Sequence, residues 1–204
     1  MAEIGPLLDE SFYQRPVEDV AKALLGQHLA HDEVVLRITE VEAYGGPEDS
    51  ASHARAGLTK RNAPMWEAGG RVYMYLCYGL HHMLNISAED QGRGAAILVR
   101  AAEPVRGLPR ILERRGMVEA KPALLAGPGK VAQALGLDLS FSGQPLFTRG
   151  GLELREGGRP AAILAGPRVG IGFAAPRDQA AALRFALAGT RWVTQPRTLA
   201  PLRT

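Results

Sequence analysis

Val34-Val35-Leu36-Arg37-Ile38-Thr39-Glu40-Val41-Glu42-Ala43-Tyr44 is the stretch from which the fold is read. Its β-branched residues predict a strand over Val34 to Ala43. Two runs of similar character follow, Arg71 to Tyr78 and Ala95 to Ala101. Glu40 and Glu42 stand two apart, so on a strand they share one face. Composition alone places such a pair on a solvated face. Val41, Ala43 and Tyr44 around Glu42 read instead as a pocket wall.

Outward from this strand, a helix is predicted from Pro16 through Leu25. Pro16 suits its first turn, Glu18 and Asp19 its positive end, and Gly26 its stop. Pro104 to Leu112 reads as helical with a Gly-Leu-Pro interruption. Gly127-Pro128-Gly129-Lys130 opens a further helix, Lys130 to Leu135, closed by Gly136. Leu152 to Leu154 and Ala162 to Leu164 are predicted as short strands, and Arg168 to Gly172 as a glycine-punctuated strand or turn. Leu183 to Leu187 and Trp192-Val193 complete the predicted core. Gly45 to Gly70 is long and irregular, which in a compact domain marks a functional or disordered loop. Strands clustered mid-chain with helices beside them indicate an α+β fold rather than a regular βαβ alternation.

The chain has 204 residues, 46% apolar and 22% charged, which suits one domain, 1–204, with a sizeable core. No apolar run is long enough to span a bilayer. Met1-Ala2-Glu3-Ile4-Gly5-Pro6 has no basic region followed by an apolar one, so no secretory signal is expected. With Cys77 as the single cysteine, no internal disulfide can form, and a cytoplasmic protein is expected. The formal charge is +3 and the pI about 9.2. Lysine occurs only at Lys22, Lys60, Lys121 and Lys130, so the basic residues are mostly arginine. Arginine suits phosphate contact and stacking, although arginine-favouring codon usage gives the same bias. The charge permits nucleic-acid binding without requiring it.

The segment Glu42 to Arg100 concentrates the chemistry. It holds a carboxylate, rings at Tyr44, His53 and Tyr75, a Tyr78-Gly79 turn, the amide of Asn85 and the guanidinium of Arg100. Breaking an N-glycosidic bond builds positive charge on the sugar, which a carboxylate stabilises while it activates a water. Flat rings can sandwich a base, and a bulky residue at a hairpin tip can enter a base stack. Each feature also has a plain reading: strand aromatics for Tyr44 and Tyr75, a solvated loop histidine for His53, an ordinary turn for Tyr78 and a strand-end amide for Asn85. Arg100 is harder to set aside, because a charge among Ile97-Leu98-Val99 and Ala101-Ala102 needs a partner. Glu42 and Glu103 are the candidates.

No metal site or cofactor is expected. His81 and His82, adjacent on a strand, would point to opposite faces. Gly127-Pro128-Gly129-Lys130 lacks the spacing and the following Ser or Thr of a phosphate-binding loop, and Gly170-Ile171-Gly172 lacks the third glycine of a dinucleotide fingerprint.

In order along the chain, Thr39-Glu40-Val41-Glu42-Ala43-Tyr44, Gly46-Pro47-Glu48-Asp49, Ala51-Ser52-His53, Arg61-Asn62, Tyr73-Met74-Tyr75, Tyr78-Gly79 and Asn85-Ile86-Ser87 resemble the alkyladenine (3-methyladenine) DNA glycosylase family. So do Leu98-Val99-Arg100-Ala101, Gly127-Pro128-Gly129-Lys130, Arg168-Val169-Gly170-Ile171-Gly172 and Leu183-Arg184-Phe185. The ordered set covers about Leu24 to Val193. The long N-terminal extension of animal members is missing, so a bacterial-type, catalytic-domain-only form is expected.

The resemblance implies a single mixed domain with a curved antiparallel β-sheet flanked by helices. It implies a monofunctional enzyme that flips damaged purines out of duplex DNA and hydrolyses their bond to deoxyribose, starting base excision repair. Glu42 matches the general base, with Arg100 and the Val169 carbonyl as further water holders. Tyr44 matches one stacking face and His53 with Tyr75 the other, His53 also reading the base edge. Asn85 matches the residue that disfavours normal guanine, and Tyr78 the intercalating wedge. Leu80 and His81 stand where animal members carry Met and Tyr, and are expected to contact DNA. The expected partner is double-stranded DNA holding damaged purines, bound by a monomer associated with the bacterial nucleoid.

Two readings from other classes compete. A non-catalytic nucleic-acid binder would use Tyr75, Tyr78 and arginines but has no use for a water-holding pair. A small-molecule hydrolase or acyltransferase with Glu42 as base has no use for a wedge.

Overall fold

The computed structural model describes residues 4–202. Met1 to Glu3, part of the leading segment read above for a signal, and the last two residues of the predicted 1–204 domain lie outside the described residues. Among the described residues, nine strands form one sheet, and every pairing in it is antiparallel. Four α-helices, α1 (Val17–Leu24), α2 (Leu108–Arg115), α3 (Pro128–Leu135) and α4 (Pro176–Ala180), accompany it. The architecture is α+β.

The opening stretch forms the central strand. β2 (Val34–Tyr44) pairs along its whole length with β5 (Ala95–Arg106). On its other edge its first half pairs with β1 (His28–His31) and its second half with β8 (Arg184–Leu187). β3 (Val72–Cys77) and β4 (His81–Ala88) form a hairpin that extends the sheet beyond β5. β7 (Ile163–Gly166) and β9 (Ala200–Pro201) continue it beyond β8, and β6 (Glu153–Arg155) pairs with β1.

Val34, Leu36, Ile38, Val41 and Ala43 of β2 join one apolar cluster. The phase of that series changes between Ile38 and Val41. The register explains it: Ile38 faces Ala102, Glu40 faces Ala101 and Val41 faces Val99, so Thr39 is an extra residue on β2 and Arg100 an extra residue on β5. The two irregularities compensate, and the ladder resumes its register beyond them. The extra residue at Thr39 turns Glu40 and Glu42 away from the apolar cluster that Ile38 enters, to the opposite face.

The apolar face is covered by α1 against β2 and β5, and by α3 against β4 and β5. Leu24, Leu36, Ile38, Ile97, Val99, Ile111, Val131 and Leu135 meet there at zero exposure. Each fully buried aliphatic side chain of this kind contributes about 1.5–3 kcal/mol. The start of α3 is tied to the irregular pair, since the Gly127 N–H donates to the Arg100 carbonyl at 3.0 Å.

The first predicted helix, the strands over Val34 to Ala43 and Arg71 to Tyr78 and the helix closed by Gly136 lie where the sequence places them, within a residue or two; the strand predicted over Ala95 to Ala101 begins as expected but runs on to Arg106. One expectation is corrected. Pro104 to Arg106 continue β5, and the helix begins only at Leu108. Pro104 is tolerated because it faces Leu36 beside a register shift, where the ladder is already irregular. Gly107, at φ +77°, then makes the turn into α2. Arg168 to Gly172 takes the turn form and not the strand form, and of Trp192-Val193, expected to complete the core, Trp192 is buried in it and Val193 is half-buried. β1, β4, α4 and β9 were not foreseen. No helix among the described residues is long and apolar enough to cross a membrane.

Candidate active site

One row of cross-strand neighbours organises the polar face. Tyr73 faces Asn85, Asn85 faces Leu98, Leu98 faces Glu42, and Glu42 faces Arg184. Residues opposite one another on neighbouring strands share a face. Five strands therefore deliver these side chains to one side of the sheet, and a one-residue slip anywhere would dissolve the row.

Glu40 and Glu42 are both fully buried, so the solvated face that composition favours is overturned. Their company is the reason. Glu40 accepts from Arg184 Nη1 at 2.9 Å, from the Thr194 N–H at 2.6 Å and from Thr194 Oγ1 at 2.7 Å. Glu42 accepts from the Val169 N–H at 2.7 Å and from the Tyr44 hydroxyl at 2.7 Å. Arg100 bridges them, with Nη1 at 3.3 Å from Glu42 and Nε at 3.5 Å from Glu40. Of the two candidate partners for Arg100, Glu42 is the one it meets; Glu103 pairs with Arg37. Paired and hydrogen-bonded charges are the form in which ions survive burial.

In front of this floor lies a cavity of about 430 Å³, within the range of small-molecule sites. Tyr44, His53, Tyr75, Tyr78, Asn85, Arg100 and Val169 all line it, so nearly every residue expected at the site is gathered in one place. Glu42 does not itself line the cavity. It lies directly behind Tyr44, Arg100 and Val169, all of which do. Leu80 and His81 stand outside the lining, both exposed beside the Tyr78 turn.

The walls are positioned from behind. His53 opens a short 3-10 turn, His53–Ala56, and its Nδ1 lies 2.8 Å from the Tyr73 hydroxyl. Its ring meets Tyr75 edge-to-face at 4.6 Å. Burial, then the charges of Arg61 and Arg55, hold the His53 imidazole below its ordinary pKa, so it is neutral at pH 7. Arg61 also lies over the Tyr75 ring at 5.4 Å. Asn62 ties the long loop together, donating to the carbonyls of His53 and Gly57 and accepting from Thr59. Asn85 is pinned by two donations, to the carbonyls of Tyr73 at 3.1 Å and Met83 at 3.3 Å.

At the end of the β3–β4 hairpin Tyr78 is 92% exposed. Its φ is +51°, followed by Gly79 at +69°, and the Leu80 N–H closes the turn on the Cys77 carbonyl at 3.1 Å. Glycine enters such geometry freely; a bulky residue pays about 1–3 kcal/mol. A large, strained, solvent-facing aromatic at the rim of a cavity is poised for contact with something outside the chain.

Sequence reasoning gave no role to Arg184, Thr194, Tyr73, Arg168 or Asp49. Arg184 carried the signal that drew attention to Arg100, a charge between Leu183 and Phe185 in a short strand. Thr194, Tyr73, Arg168 and Asp49 carried no comparable signal of their own.

A carboxylate–arginine floor beneath an aromatic cavity, with an exposed aromatic at its rim, suits flat, ring-shaped ligands. The sequence pattern of the family described as methylpurine-DNA glycosylase (MPG) matches residues 11–191. The DNA-3-methyladenine glycosylase of Arabidopsis thaliana is 52% identical over 198 residues, covering 96% of this chain and 78% of the plant protein. A protein of Nitrosococcus oceani, named as a candidate 3-methyladenine DNA glycosylase, is 53% identical over 195 residues and covers 96% of both chains. Another so named, from Methanocella arvoryzae, is 37% identical over 173 residues, 83% of this chain and 86% of its own. The chain belongs to the methylpurine-DNA glycosylase family.

The buried pairs predict an asymmetry in stability. Arg184→Met leaves Glu40 without its closest cation and should cost about 3–5 kcal/mol in urea unfolding. Adding Glu40→Leu should return at least half of that loss, because an apolar pair replaces a broken ionic one; a double variant no more stable than the single would contradict the assignment. His53 predicts a pH dependence. Its folded pKa lies below its ordinary value of 6.5, so below about pH 6.5 the unfolded chain binds the extra proton first. Its share of stability is therefore present above that pH and lost as pH falls toward the folded pKa. His53→Gln should remove that part of the acid dependence, read from unfolding midpoints between pH 7.5 and 5.

Proposed function

We propose that the protein is a monofunctional DNA glycosylase that flips a damaged purine out of the duplex into this cavity and hydrolyses its bond to deoxyribose. The observation that carries the reading is Glu42, held by Arg100, Tyr44 and the Val169 N–H behind an aromatic-lined cavity whose rim bears exposed Tyr78. Membership of the family supports it. Tyr44 takes one face of the flipped base, and His53 with Tyr75 takes the other. The neutral His53 ring has one nitrogen at Tyr73 and the second left to read the base edge. Asn85, pinned by two backbone carbonyls, is a rigid obstacle to a purine with an extra amino group. Tyr78 fills the gap left in the duplex, with Leu80 and His81 contacting DNA beside it.

In the reaction the C1′–N bond breaks and its electron pair leaves with the base. The sugar becomes an oxocarbenium ion, stabilised by the Glu42 carboxylate. A water held by Glu42, Arg100 and the Val169 carbonyl adds to C1′ and gives its proton to Glu42. The products are the free base and an abasic site. Alkylated bases such as 3-methyladenine and 7-methylguanine carry positive charge in the nucleotide and leave without further protonation. Neutral lesions such as hypoxanthine and ethenoadenine also need a proton. Glu40 is not placed to supply it, since its oxygens are engaged by Arg184 and Thr194. The protein acts as a monomer on double-stranded DNA in the cytoplasm.

Abasic-site formation on a duplex holding one 7-methylguanine, hypoxanthine or ethenoadenine tests the reading. Wild type should excise at least one of these bases. Glu42→Gln should bind the same duplex within a few-fold and lose excision by about 10²–10⁴; full excision by Glu42→Gln would remove Glu42 from the role, and duplex binding without excision by wild type would make the protein a binder. Tyr78→Ala should weaken flipping more than bond cleavage. In stopped-flow base fluorescence on ethenoadenine duplexes, an unchanged flipping equilibrium would exclude it as the wedge.

A further inference from the structure

Arg168 is buried, 5% exposed, and no step of the reaction above uses it. Its guanidinium forks onto both carboxylate oxygens of Asp49, with Nη2 at 2.9 Å, and donates to the carbonyl of Ala43 at 3.0 Å and that of Asp178 at 3.3 Å. Asp49 in turn accepts the N–H groups of Gly45 and Ala51, each at 3.0 Å. This knot joins the end of β2, the loop behind it and the turn that carries Val169. The Arg168 guanidinium carbon lies 4.7 Å from the centre of the Tyr44 ring. Tyr44 is therefore backed on one side by a fixed cation, and its hydroxyl ends 2.7 Å from Glu42 Oε2.

We propose that Arg168 is a positioning residue that fixes the Tyr44 ring, and that the Tyr44 hydroxyl in turn holds Glu42 Oε2 in its working orientation. The proposal rests on the reading of Glu42 as the general base. It gives Tyr44 a second task besides stacking: the ring receives the base, and the hydroxyl sets the carboxylate.

Three considerations support the chain of contacts. Planar guanidinium stacks on aromatic faces and forks onto carboxylates at the same time, which lysine cannot do. The Asp49 hydrogen bonds and charge outweigh the effect of burial and hold the guanidinium above its ordinary pKa, so its charge is permanent. Burial, then the charge and hydrogen bond of Glu42, hold the Tyr44 hydroxyl well above its usual value, so it remains a donor throughout the working pH range. The Arg168–Asp49 pair is also neutral as a unit. A cationic base on the open face of Tyr44 thus meets a backed ring without an uncompensated positive charge behind it.

The test is single-turnover excision of 7-methylguanine with parallel measurement of lesion-duplex affinity, using Tyr44→Phe, Arg168→Met, Arg168→Lys and the Tyr44→Phe/Arg168→Met pair. Tyr44→Phe keeps the stacking ring, so affinity should stay within about threefold while the excision rate falls about 10–100-fold. Arg168→Met should lower the rate to a similar degree, Arg168→Lys less. The double variant should be no slower than the slower single, because both lesions break one chain. An unchanged or faster rate for Tyr44→Phe would overturn the proposal, showing that the hydroxyl merely covers Glu42. Effects of the two singles that multiply would overturn the link from Arg168 to Tyr44. If Arg168→Met fails to fold, the Tyr44→Phe and Arg168→Lys rates decide alone: both at wild-type level would overturn the proposal. Failure of the underlying reading shows separately, as undiminished excision by Glu42→Gln.

Discussion

Two carboxylates buried side by side on one strand face cannot exist without cations set into the same fold. Glu40 and Glu42 are fully buried, and both lie on the central strand of the sheet. Arg100 from β5 and Arg184 from β8 approach from opposite sides, so the strand neighbours that pair with β2 also neutralise it. The two acids divide the work. Glu40 is saturated by Arg184 and Thr194 and acts as a fixed part of the frame. Glu42 is met by Arg100, a tyrosine hydroxyl and a backbone N–H, all from residues that border the cavity. The buried Glu40–Arg184 pair is weak as a source of stability. Its value is in the register it demands: the strands cannot slip without leaving a charge unpaired.

The compensating irregularities at Thr39 and Arg100 make this arrangement compatible with a hydrophobic core. A regular β2 would carry Glu40 to the same face as Leu36 and Ile38. One extra residue redirects it, and an extra residue on β5 restores the register so that Glu42 still faces Leu98. The Arg100 backbone carbonyl then anchors the start of α3 through Gly127. The feature that aims the polar site thus also seats a helix of the apolar layer, which is why polar face and core are built as one object.

Much of this was legible because charges in apolar runs announce themselves. Arg100 between Val99 and Ala101 needed a partner, and Glu42 supplied it. The gathering of Tyr44, His53, Tyr75 and Asn85 around one cavity followed from the ordered motifs. Other parts had no local signature. Pro104 read as part of a helix, and proline is in general barred from regular strands; only the register beside Leu36 shows why it is allowed here. β4 was hidden because its outer half projects with the exposed tip while its inner half is buried on both faces, so it shows no two-residue alternation. The Arg168–Asp49 knot joins residues 119 apart in sequence, and neither stands in a context that demands a partner.

The site combines two mechanical regimes, and the function proposed for it needs both. The floor, which under the proposed function holds a carboxylate and a water against a short-lived sugar cation, is built from strands, paired charges and neighbours locked from behind. The rim, which under the proposed function enters a base stack and leaves it, is a three-residue tip with its aromatic exposed and its backbone in a costly conformation. Rigidity in both would obstruct the search for damage; freedom in both would blur the geometry at the bond. The β3–β4 hairpin joins the two regimes in a few residues. Tyr73 and Asn85 at its base belong to the same cross-strand row as Glu42, while Tyr78 at its end stands in solvent. The tip that the proposed function sends into DNA is thereby referenced, through one row of paired residues, to the carboxylate that the same proposal brings to the sugar.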